Sequence, residues 1–188
     1  MGMKPLAKFI FELGQLRRIK HEGWRMAGIE DPESVAEHSL RVAQIGYILA
    51  VLEGHADPCQ VAAIGVFHDI EECRVGDIHR VASRYVTADK ERAAKEQLAP
   101  LGALGDGIFK LWIQDERRDT AAGIIAKDAD YLEMAAMAKE YLEQGFAAAR
   151  DWLDNTGKAL KTESAKRLHA ELSRTGSTEW WHGLKKLS

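Results

Sequence analysis

Apolar residues recur at steps of three and four along almost the whole chain, and sustained period-two alternation is hard to find, which predicts an all-α fold, a helical bundle. The clearest helix follows Asp31, which reads as an N-cap with Pro32 at the first helical position and Glu33 in the positive first turn. Val35, Val42, Ile45, Leu49 and Leu52 then mark one buried face, His38 falls on the same stripe, and Gly54 ends the helix.

A second helix is expected from Asp57 and Pro58 through VAAIGVFHDIEE, and its first half, apolar on every side, places it centrally. His68 stands where that apolar run stops, with Glu72 one turn beyond it on the same face. Residues 76–85 read as a loop or short helix, and 87–98 as a charged amphipathic helix. Pro100, Gly102, Gly105 and Gly107 mark a connection to another short helix ending near Asp115. A long helix spans about 119–146. In it Asp130 shares a stripe with Ala126, Met134, Met137 and Tyr141, whereas Asp128 shares another with Ile124, Ile125, Leu132 and Ala135, so periodicity alone does not choose between the two acids. Residues 158–173 and the segment around Trp180 and Trp181 read as terminal packing.

Composition narrows the class. A chain of 188 residues with 46% hydrophobic and 29% charged residues and 4 Pro fits one compact domain, here 1–188, with a core at about 5–150 and C-terminal helices over 158–188 packed on it. A net charge of -3 offers no global footprint for a nucleic acid polymer. Cys59 and Cys73 are too few for a disulfide framework, and no leading apolar segment resembles a signal peptide, so a reduced, cytoplasmic setting is expected. The longest apolar run, Val61 to Phe67, is far short of the roughly 20 residues that span a bilayer, so no membrane partner is expected.

The dipeptide His68-Asp69 carries no weight alone, since roughly 0.4 such pairs arise by chance in a chain of this composition. Its setting matters more. A histidine on the buried face of the preceding helix, an acid in a buried later helix and Glu72 one turn on together make a mixed nitrogen and oxygen site suited to a divalent first-row metal. The competing structural readings are a core His38 bonded to a carbonyl, an Asp130 paired with Lys127, and a solvated Glu71.

The segments GQLRRIKHEGW, PESVAEHSLRVA, HDIEECRVGDI and KDADYLEM, in this order and spacing over about residues 5 to 150, resemble the HD-domain superfamily and, within it, the branch of 5′-deoxynucleotidases. The resemblance implies one divalent ion (Mn, Co, Ni, Zn or Fe) on His38, His68, Asp69 and Asp130, the last because Lys127 and Glu133 fix the register. It further implies proton transfer by Glu72, substrate positioning by Asp77, and packing of Trp24 near the sugar. Close relatives place an Arg three residues before that Trp, where this chain has His21, which leaves Arg18 as the substitute phosphate contact. Two-metal HD phosphodiesterases carry further histidines between the HD pair and the last Asp, and this stretch holds only His79.

The implied activity is metal-dependent release of inorganic phosphate from 2′-deoxyribonucleoside 5′-monophosphates. The alternatives are a nucleotide-sensing or dimerisation module without catalysis, and a hydrolase of nucleoside triphosphates or cyclic nucleotides. A homodimer is expected from the same resemblance and from the apolar surplus around Trp180, Trp181 and Leu184.

Overall fold

Residues 2–184 are described in the computed structural model of the protein. They form nine α-helices joined by short 3₁₀ turns, and among the described residues the one extended pairing is a bridge between Lys20 and Ser34. α1 (Met3–Leu13) leads through 3₁₀ turns to α2 (Val35–Leu52), and α3 (Pro58–Phe67) turns into the single-turn α4 (Glu72–Val75). α5 (Lys90–Leu98), α6 (Ala103–Arg117), the long α7 (Ala121–Glu143), α8 (Arg150–Ala159) and α9 (Glu163–Arg174) complete the fold.

Asp31 does not cap α2. Ser34 does, accepting from the Glu37 amide while the Glu37 carboxylate accepts from the Ser34 amide, a reciprocal box that satisfies two orphan donors where Asp31 would satisfy one. Pro32 and Glu33 therefore lie outside the helix. Leu52 also departs from the expected buried stripe: it sits exposed in the last turn of α2, while Val35, Val42 and Leu49 are buried as expected. Asp57 caps α3 through the Gln60 amide with Pro58 at the first position, and α3 stops at Phe67, so that His68 and Glu72 do not share one continuous helix.

Gly105 and Gly107 lie inside α6 instead of in the connection before it. The reason is close packing: a Cβ on Gly105 would fall 2.1 Å from the Leu98 carbonyl oxygen, so the glycine admits the end of α5.

α7 is the axis. Its Ala122, Ala126, Ala129, Ala135 and Ala138 are buried, and these small side chains let neighbours approach on nearly every side. α2, α3 and α9 pack on one part of it around Val42, Leu49, Val61, Ile64, Ile125 and Leu132. Another part meets α8 and Trp24 around Tyr141 and Leu153. A separate cluster of Phe9, Ile70, Leu98, Leu101 and Trp112 joins α1, α5 and α6. Trp180, Trp181 and Leu184 are exposed and do not cap this core.

Candidate metal centre

The two helices that carry His38 and His68 lie in unusually close contact. A Cβ on Gly65 would stand 2.8 Å from Cα of Ala43, so only glycine lets α3 meet α2 at that depth. Gly65 is one turn before His68, and the two imidazole rings end 5.3 Å apart. α7 then brings Asp130 to them, with Oδ1 3.2 Å from His38 Nε2. His38, His68 and Asp130 are all buried, and their ligand atoms form one compact group. Asp69 stands at the open side, its Oδ2 2.9 Å from His68 Nε2 and 3.9 Å from His38 Nε2.

Each ring is held by its far nitrogen. His68 Nδ1 lies 2.8 Å from the Gly65 carbonyl oxygen, and His38 Nδ1 lies 2.6 Å from Glu133 Oε2. Both Nε2 atoms therefore face the carboxylates. His68 Nε2 is buried, with Asp69 Oδ2 2.9 Å away as an ion-pair contact. Two oriented imidazoles with two carboxylates on one point fit a divalent first-row ion.

The electrostatics match. Burial works against charge on His38, yet Glu133 and Asp130 outweigh it and hold the imidazole well above its ordinary value. Burial likewise opposes the Asp130 carboxylate, but Lys127, His38 and His68 keep it far below the usual range. Lys127 Nζ reaches Asp130 Oδ2 at 2.6 Å and Asp115 Oδ2 at 3.4 Å. Asp130 thus pairs with Lys127 and faces the histidines at once.

Glu72 is buried beside this group, with Oε2 unpartnered. Burial first, then the charges of Asp69 and Asp77, push its carboxyl up to about 10. Glu71, expected to be solvated, is fully enclosed: Trp112 Nε1 donates to its Oε2 at 2.7 Å, and Lys90 Nζ lies 2.9 Å from its Oε1. Lys90 also stands 3.9 Å from Glu72 Oε1. Lys90 carries no sequence signal beyond its place behind the Asp89 cap of α5.

The expected substrate residues sit differently. Asp77 Oδ2 accepts the Glu22 amide at 2.6 Å, pinning the 3₁₀ turn Glu22–Ala27. Trp24, expected to pack near the sugar, is 1% exposed, lies against Tyr141 and Trp152, and donates its indole N–H to Glu33. Its ring stands edge-on to that of His21, which in turn lies 4.4 Å from that of His38. Arg18 is exposed, and among the described residues no hydrogen bond or ion pair joins it to the cluster.

The model of the family described as HD domain matches residues 13–172. The chain belongs to the HD domain family. As an HD-domain protein it is 32% identical over 164 residues to a 5′-deoxynucleotidase HDDC2 of Xenopus laevis, covering 84% of this chain and 81% of that one. It is 28% identical over 184 residues to the human 5′-deoxynucleotidase HDDC2, covering 94% and 89%. A conserved hypothetical protein from Pyrococcus furiosus has a similar fold, with a TM-score of 0.74 and 27% identity, covering 90% of this chain and 99% of that one. No described helix is long and apolar enough to cross a membrane.

Proposed function

We propose that this HD-domain protein is a metal-dependent phosphomonoesterase that releases inorganic phosphate from 2′-deoxyribonucleoside 5′-monophosphates. The observation that carries the proposal is the convergence of His38, His68, Asp69 and Asp130 beside the buried Glu72. The substrate class follows from the relatives, which are 5′-deoxynucleotidases. The four side chains would hold one divalent ion, its identity set by site geometry and by which metals are available. When bound, such an ion lowers the pKa of water and neutralises charge on the phosphoryl oxygens.

The residues divide the remaining work. Water attacks phosphorus, the bond from phosphorus to the 5′-oxygen breaks, and a proton passes from the water to the departing hydroxyl. Glu72 carries that proton; its raised pKa and unpartnered oxygen support the role. Lys90, anchored on Glu71, supplies positive charge on the same side and stands in for the phosphate contact expected of Arg18. Asp77 acts by fixing the turn that carries His21. Preference for the deoxy sugar follows from the relatives, which are 5′-deoxynucleotidases.

We further infer a homodimer in the cytoplasm. Exposed Leu40, Tyr47, Ile48 and Val51 along α2 support self-association, and the unpaired Cys59 and Cys73 support a reducing compartment. Phosphate release from a panel of deoxy and ribo monophosphates, triphosphates and cyclic nucleotides tests the activity. Turnover of deoxy monophosphates alone is expected; silence on the whole panel with metals supplied would favour a sensing module.

A further inference from the structure

His38 is gripped from both sides by one helix. Asp130 on α7 lies 3.2 Å from its Nε2, and Glu133, one turn further along α7, lies 2.6 Å from its Nδ1. Glu133 is fully buried, yet its second oxygen is not left bare. Arg41, one turn after His38 on α2, reaches Glu133 Oε1 with Nε at 2.8 Å and Nη2 at 2.7 Å, and its Nη1 continues to Glu140 Oε1 at 2.7 Å. A chain of charged contacts therefore runs from half-exposed Glu140 through Arg41 and Glu133 to the ring of His38. His68 has no such arrangement, because its Nδ1 is satisfied by a backbone carbonyl.

We propose that Glu133 and Arg41 are positioning residues that fix the tautomer and orientation of His38, so that its Nε2 lone pair faces the metal position. The inference rests on the phosphohydrolase reading above and adds to it residues outside the ligand set. The physical argument is one of acceptors and donors. A carboxylate only accepts, so the nitrogen 2.6 Å from Glu133 carries a hydrogen, and the proton that an incoming ion displaces is the one on Nε2, beside Asp130. Alone, Glu133 would be a buried charge free to rotate about its terminal bond. The Arg41 Nε hydrogen bond to Oε1, with Nη2 beside it as an ion-pair contact, holds that oxygen and leaves Oε2 for the ring. Because Asp130 and Glu133 share one helix face, the same docking of α7 on α2 sets the ligand and the device that aims its neighbour.

The test is metal affinity measured apart from turnover. Mn(II) is titrated into metal-free protein and its free-ion EPR signal gives Kd, while the visible bands of the Co(II)-loaded protein report ligand geometry. In Glu133→Gln the side chain has a single oxygen and cannot accept from both His38 and Arg41. Its Kd is expected to rise about 10- to 100-fold with shifted cobalt bands, the scale typical of losing a partner behind a metal ligand. Arg41→Gln, at the half-exposed end, is expected to weaken binding at least threefold and decides the matter if Glu133→Gln does not fold. A folded variant that loses thermal stability but keeps Kd within twofold and the cobalt bands unchanged would show that the chain of contacts only ties α2 to α7, and overturns the inference. A wild-type protein that binds no metal sinks the phosphohydrolase reading and this inference together, whereas wild-type binding with unchanged variants sinks this inference alone.

Discussion

Asp128 and Asp130 are both buried on α7, two residues apart, and they face opposite partners. Asp130 meets His38 and Lys127, whereas Asp128 accepts the Lys161 and Thr162 amides and the Thr162 hydroxyl, holding the turn between α8 and α9. Asp130→Asn is therefore expected to lose most bound metal with the fold intact. Asp128→Asn is expected to keep the metal but lose about 1–3 kcal/mol of stability, since its amide nitrogen cannot accept and leaves backbone donors short. Elemental analysis beside urea unfolding distinguishes the two.

Glu72→Gln is expected to retain metal and lower turnover by about 10²- to 10⁴-fold, as for a lost general acid or base. The same variant makes a stability prediction for metal-free protein. Glu72 releases its proton near the ordinary carboxyl value when unfolded but is pushed up to about 10 in the fold. Between those values the folded state binds the extra proton, so stability falls as pH rises. The Gln variant lacks that loss. Melting temperatures of chelator-treated protein from pH 5 to 8 should fall for the wild type and stay flatter for Glu72→Gln; parallel curves would place Glu72 in water, not in the core.

Metal should act as a ligand of the native state. At a free concentration of 100 times Kd it adds about 2.7 kcal/mol, or about 5–10 °C at the 2–4 °C per kcal/mol of chains this size. His38 and His68 are both held above their ordinary values in the metal-free protein, His68 at about 9, with burial opposing and Asp69 outweighing it. Binding must displace those protons, so affinity falls as pH falls and uptake at neutral pH acidifies a weak buffer. His68→Ala should abolish the thermal shift and reduce the proton release.

Gly65→Ala inserts a methyl group against the Ala43 backbone and is expected to cost about 1–3 kcal/mol through overpacking. By parting α2 from α3 it should also weaken metal binding. Gly107→Ala, where the space is open in the middle of α6, is the control and should be neutral or slightly stabilising. Denaturant midpoints and metal titrations on the two variants measure both effects.

The helical period carried much of this molecule, and the exceptions have local causes. α5 and α7 fall where the pattern puts them, because their caps Asp89 and Thr120 precede clear runs, whereas α3 starts as expected behind Asp57 but stops at Phe67, short of the HDIEE segment. The start of α2 was misread because two good caps, Asp31 and Ser34, stand three residues apart, and only the reciprocal Glu37 contact separates them. Glu71 gave no sign of burial, since its partner Trp112 lies 41 residues away. The choice of Asp130 over Asp128 came from resemblance, not from period, because α7 is buried on both stripes. Trp24 is placed by resemblance alone, and its packing against Tyr141 and Trp152, more than a hundred positions away, has no local signal in the sequence.

The contacts that build the centre join parts of the chain very far apart: His38 to Glu133 spans 95 positions, and Arg41 to Glu133 spans 92. Closing such a loop is entropically costly and comes only once intervening helices have collapsed. An ion that needs α2, α3 and α7 together finds no partner in the folding transition state unless that state already contains all three. Metal should therefore leave the refolding rate nearly unchanged and slow unfolding, making the loaded enzyme long-lived kinetically beyond what its folding speed conveys.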